Sequence, residues 1–285
     1  MNRRSFLVCA GGGASSLVGC LDLAGGGDVG VVEREFPDRP DEFTPESIAA
    51  YVAGYEEVRA HNVHAADGAA EVTIDAVATF DHAAEDDHVA TAQHAGTVYH
   101  ENGDGDRSVG ELYSDPTPYL VTPDRTLRMD VTRRTVGDDE RAPRDDERSP
   151  SGDETASPPL GVRLLNVADE PTELSVTVVR SDAAVGGNQS DGTGDDTGDE
   201  TGDDTGDEAI AEVDVAVDAE SAVELAAITD RRGGYRVVAR MEDDGVTGVG
   251  RIEVGLPSAD RGPNVDVVVG DAGVSTWHLP SFEGV

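Results

Sequence analysis

Apolar residues recur along this chain with two different periods, and the change of period marks its elements. Ile48, Tyr51, Val52, Tyr55 and Val58 stand three or four positions apart, the spacing that lines one face of a helix. Thr44 supplies a capping hydroxyl, Pro45 suits the first helical position, and Glu46 lies near the positive end of the helix dipole. A helix is therefore predicted from Thr44 to about residue 62. From Glu71 the period becomes two: Val72, Ile74, Ala76, Ala78 and Phe80 alternate with Glu71, Thr73, Asp75, Val77 and Thr79, as in a half-buried strand. Further strand-like runs occupy 88–100, 107–114, 118–122 and 125–136, separated by turn residues at 102–106 and at Pro123-Asp124. One helix followed by antiparallel strands predicts an α+β unit over 44–136, with the helix packed across the sheet.

The same period of two dominates the second half. Alternation in Val162–Val167, Leu174–Val179, Val213–Val217, Val223–Leu225, Tyr235–Ala239, Gly250–Val254 and Val265–Val269 predicts an all-β antiparallel sandwich over 160–285. Residues 137–159 separate the units: they mix both charges, contain Pro143, Pro150, Pro158 and Pro159, and offer little to bury. An insertion at 181–208 carries Thr-Gly-Asp-Asp/Glu four times from Thr193 to Glu208, and is expected to be a hydrated acidic loop without structure. Its repeat lacks the distal glutamate of a calcium loop and the apolar position of a calcium-binding β-roll.

The first twenty residues follow neither period. Arg3-Arg4-Ser5-Phe6-Leu7, a short segment diluted by Gly11, Gly12 and Gly13, and Leu17-Val18-Gly19-Cys20 have the order of an export signal. The apolar run falls short of the roughly 20 residues that span a bilayer. These motifs resemble the signals of twin-arginine-exported lipoproteins, with Arg3 and Arg4 as the export pair and Leu17–Cys20 as the lipobox. The resemblance implies removal of residues 1–19, lipid attachment at Cys20, and delivery of a folded protein to the outer face of the cell membrane. Two acyl-type chains on one cysteine give stable anchoring where a single chain does not. Residues 20–43, with three consecutive glycines and two prolines, then read as a flexible tether.

Two weaker resemblances concern the folded units. The element order over 44–136 resembles cystatin-like and NTF2-like architectures, but Gln93-His94-Ala95-Gly96 does not meet the cystatin inhibitor motif. The second half resembles an immunoglobulin-like domain, most specifically at Gly233-Gly234-Tyr235-Arg236-Val237, which is similar to a tyrosine-corner segment with Val237 where an antibody domain has cysteine. Trp277 is expected in the core.

Composition adds the setting. With 59 acidic and 21 basic residues the formal charge is -38, and no lysine occurs. Such a chain repels itself in dilute buffer, whereas at molar salt the screening length falls to about 3 Å. The composition resembles that of haloarchaeal proteins. It also disfavours nucleic acid as a partner, because phosphate binding needs a basic surface. Cys9 falls in the signal and Cys20 takes the lipid, so the mature units have neither disulfide nor thiolate metal site.

Candidate chemistry is confined to histidine. His61, His64, His82, His88, His94 and His100 crowd one stretch, and imidazole is the commonest metal ligand. Six residues of strand span about 20 Å, so His88, His94 and His100 cannot share one ion; a site would have to combine His61 or His64 with a strand histidine. His61-Asn62-Val63-His64 lacks the glutamate of a zinc protease, and phosphate-binding or nucleophile-elbow motifs are absent from the sequence. The expectation is a non-catalytic surface lipoprotein of a halophile with an adhesion, assembly or interaction role, binding the membrane through Cys20 and a protein partner at the surface, with no cofactor. The alternative is an accessory module that binds a ligand or metal ion through the helix-on-sheet unit or its histidines.

Overall fold

A computed structural model describes residues 30–101, 106–137, 139–141, 155–181, 209–243, 246–256, 263–270 and 273–279. Arg3, Arg4 and Cys20, the linker residues 142–154 and the acidic insertion from 182 to 208 lie outside the described residues. Helix α1 spans Pro45–Ala66. Thr44 caps it by accepting a hydrogen bond from the Ser47 amide, and the Ser47 hydroxyl answers by accepting from the Thr44 amide. The helix runs four residues beyond the expected end; Asn62 and His64 stay partly buried there, and the Asp67 amide closes it by donating to the Val63 carbonyl.

Three sheets follow. The first comprises β1 (Glu71–Ala84), β2 (Asp87–Glu101), β3 (Arg107–Tyr113), β4 (Thr117–Val121) and β5 (Thr126–Arg128), all antiparallel. Strand β2 is its spine: β1 pairs along its length, β4 takes the first half of its free edge and β3 the second. The second sheet contains β6 (Asp130–Thr135), β7 (Thr155–Asn166), β10 (Ser221–Arg231), β13 (Val265–Gly270) and β14 (Gly273–His278), in the order β14-β13-β7-β10-β6. The third contains β8 (Thr172–Ser181), β9 (Ala209–Val217), β11 (Gly233–Asp243) and β12 (Val246–Leu256), in the order β12-β11-β8-β9.

Alternation along the strands gives each sheet two faces, and the burial of those faces orders the layers. Ile48, Tyr51 and Val52 of α1 pack on Ala90, Ala92, Tyr119 and Val121. The opposite face of the same strands presents Val89 and Leu120, which join Met129 to Leu165, Val167 and Ala222 of the second sheet. The other face of the second sheet, through Val162, Leu164, Leu225 and Val267, shares a large core with Val176, Val213, Val237 and Val254 of the third. The order is helix, first sheet, second sheet, third sheet.

Four expectations are corrected. The strand expected over 125–136 divides at the fully buried Met129: residues 126–128 stay on the first sheet, whereas β6 crosses over and pairs in parallel with β10. Alternation marks a strand without naming its sheet, and Met129 fills the core where the two sheets meet. The sandwich is not wholly antiparallel, since β7 also pairs in parallel with β13. The described ends of the expected linker are structured: the Glu140 carboxylate accepts from the Gly137 amide, the Glu140 carbonyl accepts from the Glu212 amide, and β7 has begun by Thr155. Within the expected tether, residues 30–43 pack along α1.

Candidate functional site

Two clusters of buried charge lie on either side of the first sheet. On the helix side stands Glu56, fully buried, at the position of the α1 stripe that follows Ile48 and Val52. Arg59 donates from Nε to one carboxylate oxygen at 2.8 Å and from its terminal nitrogen to the other at 2.9 Å. The Tyr119 hydroxyl donates to the first oxygen and His94 Nδ1 to the second, at 2.7 Å for the histidine. Burial by itself would raise the Glu56 pKa, but the hydrogen bonds from Arg59, Tyr119 and His94 and the charge of Arg59 outweigh it and hold it at about 2. Tyr119 moves the other way: burial and the adjacent carboxylate raise its phenol.

The second cluster joins the two units. Arg163 of β7 grips Asp266 of β13 with two hydrogen bonds, of 2.8 and 2.6 Å, and reaches Asp81 of β1 at 2.9 Å. It also donates to the Thr91 hydroxyl at 2.7 Å, and Thr91 donates to Asp81 at 2.5 Å. His82 Nε2 donates to Asp266 at 3.0 Å. Its ring lies parallel to the Trp277 indole, with centroids 5.0 Å apart. Burial opposes ionisation of both partners, yet Arg163 keeps the Asp266 carboxyl below its ordinary range, and Asp266 and Asp81 raise the pKa of Arg163. Adjacent positions account for the placement. Asp81 occupies the irregularity in β1 where the pairing with β2 shifts between Phe80 and His82, which leaves Asp81 and His82 buried together.

Beside this cluster a cleft of about 600 Å³ opens between the units, lined by His82, Trp277, Leu120, Val268, Arg125 and Asp169 among others. Arg125 bridges its wall, donating to Glu220 at 2.6 Å and to the Val167 carbonyl at 2.8 Å. Trp277, expected in the core, is half-buried at this junction.

The histidines divide among separate tasks. His82 is in the junction, His94 holds Glu56, His61 Nε2 donates to the Val32 carbonyl at 3.0 Å, and His88 Nδ1 lies 3.1 Å from the Asp86 carbonyl. Burial lowers the His64 pKa, Asp67 opposes that, and the charges of His100, His94 and His61 add to it. Among the described residues, however, no group of three or more His, Cys, Asp or Glu side chains is placed to hold a metal ion. Nor is any described helix long and apolar enough to cross a membrane.

Sequence reading missed Glu56, Asp81, Arg163 and Asp266. A signal existed only for Glu56, whose charge interrupts an apolar stripe. Arg163 and Asp266 alternate with core valines and leucines just as solvent-facing residues do. Fold and site together define a β-rich, four-layered protein whose units are joined through a buried ion cluster. Compared with known proteins, the chain matches no family model, no curated protein and no solved structure.

Proposed function

We propose that the chain is a non-catalytic lipoprotein of a halophile's outer cell surface, exported by the twin-arginine route, anchored through Cys20, and acting in adhesion, assembly or partner binding. The observation that carries the reading is the junction: a shared apolar core and the Arg163 cluster bind the units into one body suited to present a surface at a fixed geometry. In Glu56 and Asp266 both carboxylate oxygens already accept hydrogen bonds from the protein, a structural use of charge. We read the helix-on-sheet unit as cystatin-like or NTF2-like and the paired sheets as immunoglobulin-like. The Tyr235 hydroxyl, which donates to the Arg231 carbonyl four residues upstream at 2.7 Å, supports the latter.

Cys20→Ser is expected to be exported but released from the membrane fraction; a variant still pelleting with membranes after a high-salt wash would contradict the lipid anchor. Halophilic adaptation predicts that the unfolding midpoint climbs with salt up to about molar concentration, as screening relieves the repulsion. A midpoint flat across a thermal series in salt would refute it.

The cleft favours a second reading, a module binding a small ligand or ion, since the stacked His82–Trp277 pair and Asp169 both line it. Trp277 is the only tryptophan, so its emission reports on this cleft directly. Saturable changes in that emission as calcium or choline is added at constant ionic strength would support this reading, and no change with either would remove it.

A further inference from the structure

We infer that residues 30–43 form a strap that decides which end of the protein faces the membrane, an inference that rests on the lipid attachment at Cys20 proposed above. The strap runs antiparallel to α1 and is fastened at successive points. The Val31 amide donates to the Ala69 carbonyl at 2.9 Å, just past the C-terminal end of α1. The Val32 carbonyl accepts from His61. Arg34 and Asn62 then exchange two hydrogen bonds: the Arg34 amide donates to Asn62 Oδ1 at 2.8 Å, and Asn62 Nδ2 donates to the Arg34 carbonyl at 2.9 Å. The Arg34 guanidinium pairs with Glu57 at 3.0 Å. Phe36 stacks on Tyr55 with centroids 4.5 Å apart, and Arg39 donates to the Pro123 carbonyl in the turn after β4. As the strap advances from 31 to 36, its partners step back from 69 to 55.

This course moves the point of attachment from one end of the helix to the other. Without the strap, a chain anchored at Cys20 would join the body at Thr44, the N-terminal end of α1. With it, the chain joins at Val31, beside Ala69. The helix has 22 residues, so the two points are about 33 Å apart at 1.5 Å per residue. Residues 20–29, ten in number, lie between the anchor and the strap. Ten residues reach at most about 36 Å even when fully extended, against about 80 Å for the 24 that would separate Cys20 from the body without the strap. The end bearing Asp67, Glu71 and Glu101 is therefore held toward the lipid surface. The opposite end, with the β1–β2 turn and the Thr122–Arg125 turn, is turned outward.

After removal of the signal, Cys20 is the only cysteine, and the lipid occupies it, so an introduced thiol is labelled uniquely. Asp67 and Asp124 are both exposed and mark the two ends. The full lipidated protein carrying Asp67→Cys or Asp124→Cys, labelled with a donor dye, is bound at high salt to anionic phospholipid vesicles containing an acceptor-headgroup lipid. Energy transfer is expected to be at least about twofold stronger from position 67, given the length of the helix between them. Equal transfer, or stronger transfer from position 124, in protein that pellets with the vesicles would overturn the orientation and leave the anchor standing. Labelled protein that fails to pellet would overturn the anchor itself. In a background of Phe36→Ala with Asn62→Ala, the loosened strap should shrink the difference while the protein still pellets; an unchanged difference would show that the strap does not set it.

Discussion

Arg163→Ala is expected to destabilise the protein by about 3–5 kcal/mol, because it leaves the carboxylates of Asp81 and Asp266 buried without their guanidinium. Against a total stability of about 5–15 kcal/mol for a folded protein, that is a large fraction. The loss should appear first at the junction, where Arg163 stands between the two units, so Trp277 emission should change at a lower temperature than the β-sheet signal in circular dichroism. High salt should not restore the variant, since buried charges are screened far less than exposed ones. Asp81→Asn with Asp266→Asn in the same chain should recover part of the loss, because the uncompensated charges are then gone. Arg125→Ala provides the contrast. It spans the same junction by an exposed ion pair with Glu220, which contributes at most about 1 kcal/mol, and by one hydrogen bond to the Val167 carbonyl, which contributes about 1 kcal/mol more. Comparable losses from the two variants would mean that the buried cluster does not hold the units together.

Glu56→Gln tests the other cluster, and its effect should depend on pH. The Glu56 pKa is about 2 in the folded protein against an ordinary value of 4.5. A carboxyl whose pKa is depressed by folding stabilises fully above its unfolded value, and the contribution disappears as pH falls from about 4.5 towards 2. A depression of this size corresponds to roughly 3 kcal/mol at neutral pH. The variant should accordingly be less stable by about that amount at pH 7, and the gap between it and the parent should close between pH 4.5 and 2. The difference between the two proteins is the relevant measurement, because protonation of the other acidic residues affects both alike. A gap that stayed constant across this range would show that Glu56 contributes packing rather than charge.

Most features that depend on neighbours along the chain were legible in the residues themselves, although the end of α1 lies four residues beyond its expected place. The period of three to four residues located α1, and Thr44 and Pro45 located its start. The period of two located most of the strands in both halves, since burial of one face is written locally into alternating residues. The Arg3-Arg4 pair and Leu17–Cys20, on which the proposed export and lipid attachment rest, are likewise a linear pattern.

Tertiary structure decided what depends on residues far apart. Whether β6 joined the first sheet or the second was open to either, because an alternating strand fits any sheet with a matching face; burial of Met129 between the sheets accompanies the second. The polar faces of β7 and β13 looked solvent-facing, and only the arrival of the first sheet turned Arg163 and Asp266 into a buried cluster with Asp81, more than eighty residues away in sequence from Arg163. The segment 30–43 has the glycine-poor, proline-containing composition of an extended chain, and nothing in that composition specifies the α1 surface against which it lies. Local sequence sets the faces of an element, but which partner covers a face is fixed by the sum of contacts across all the layers, and that sum exists only in the folded molecule.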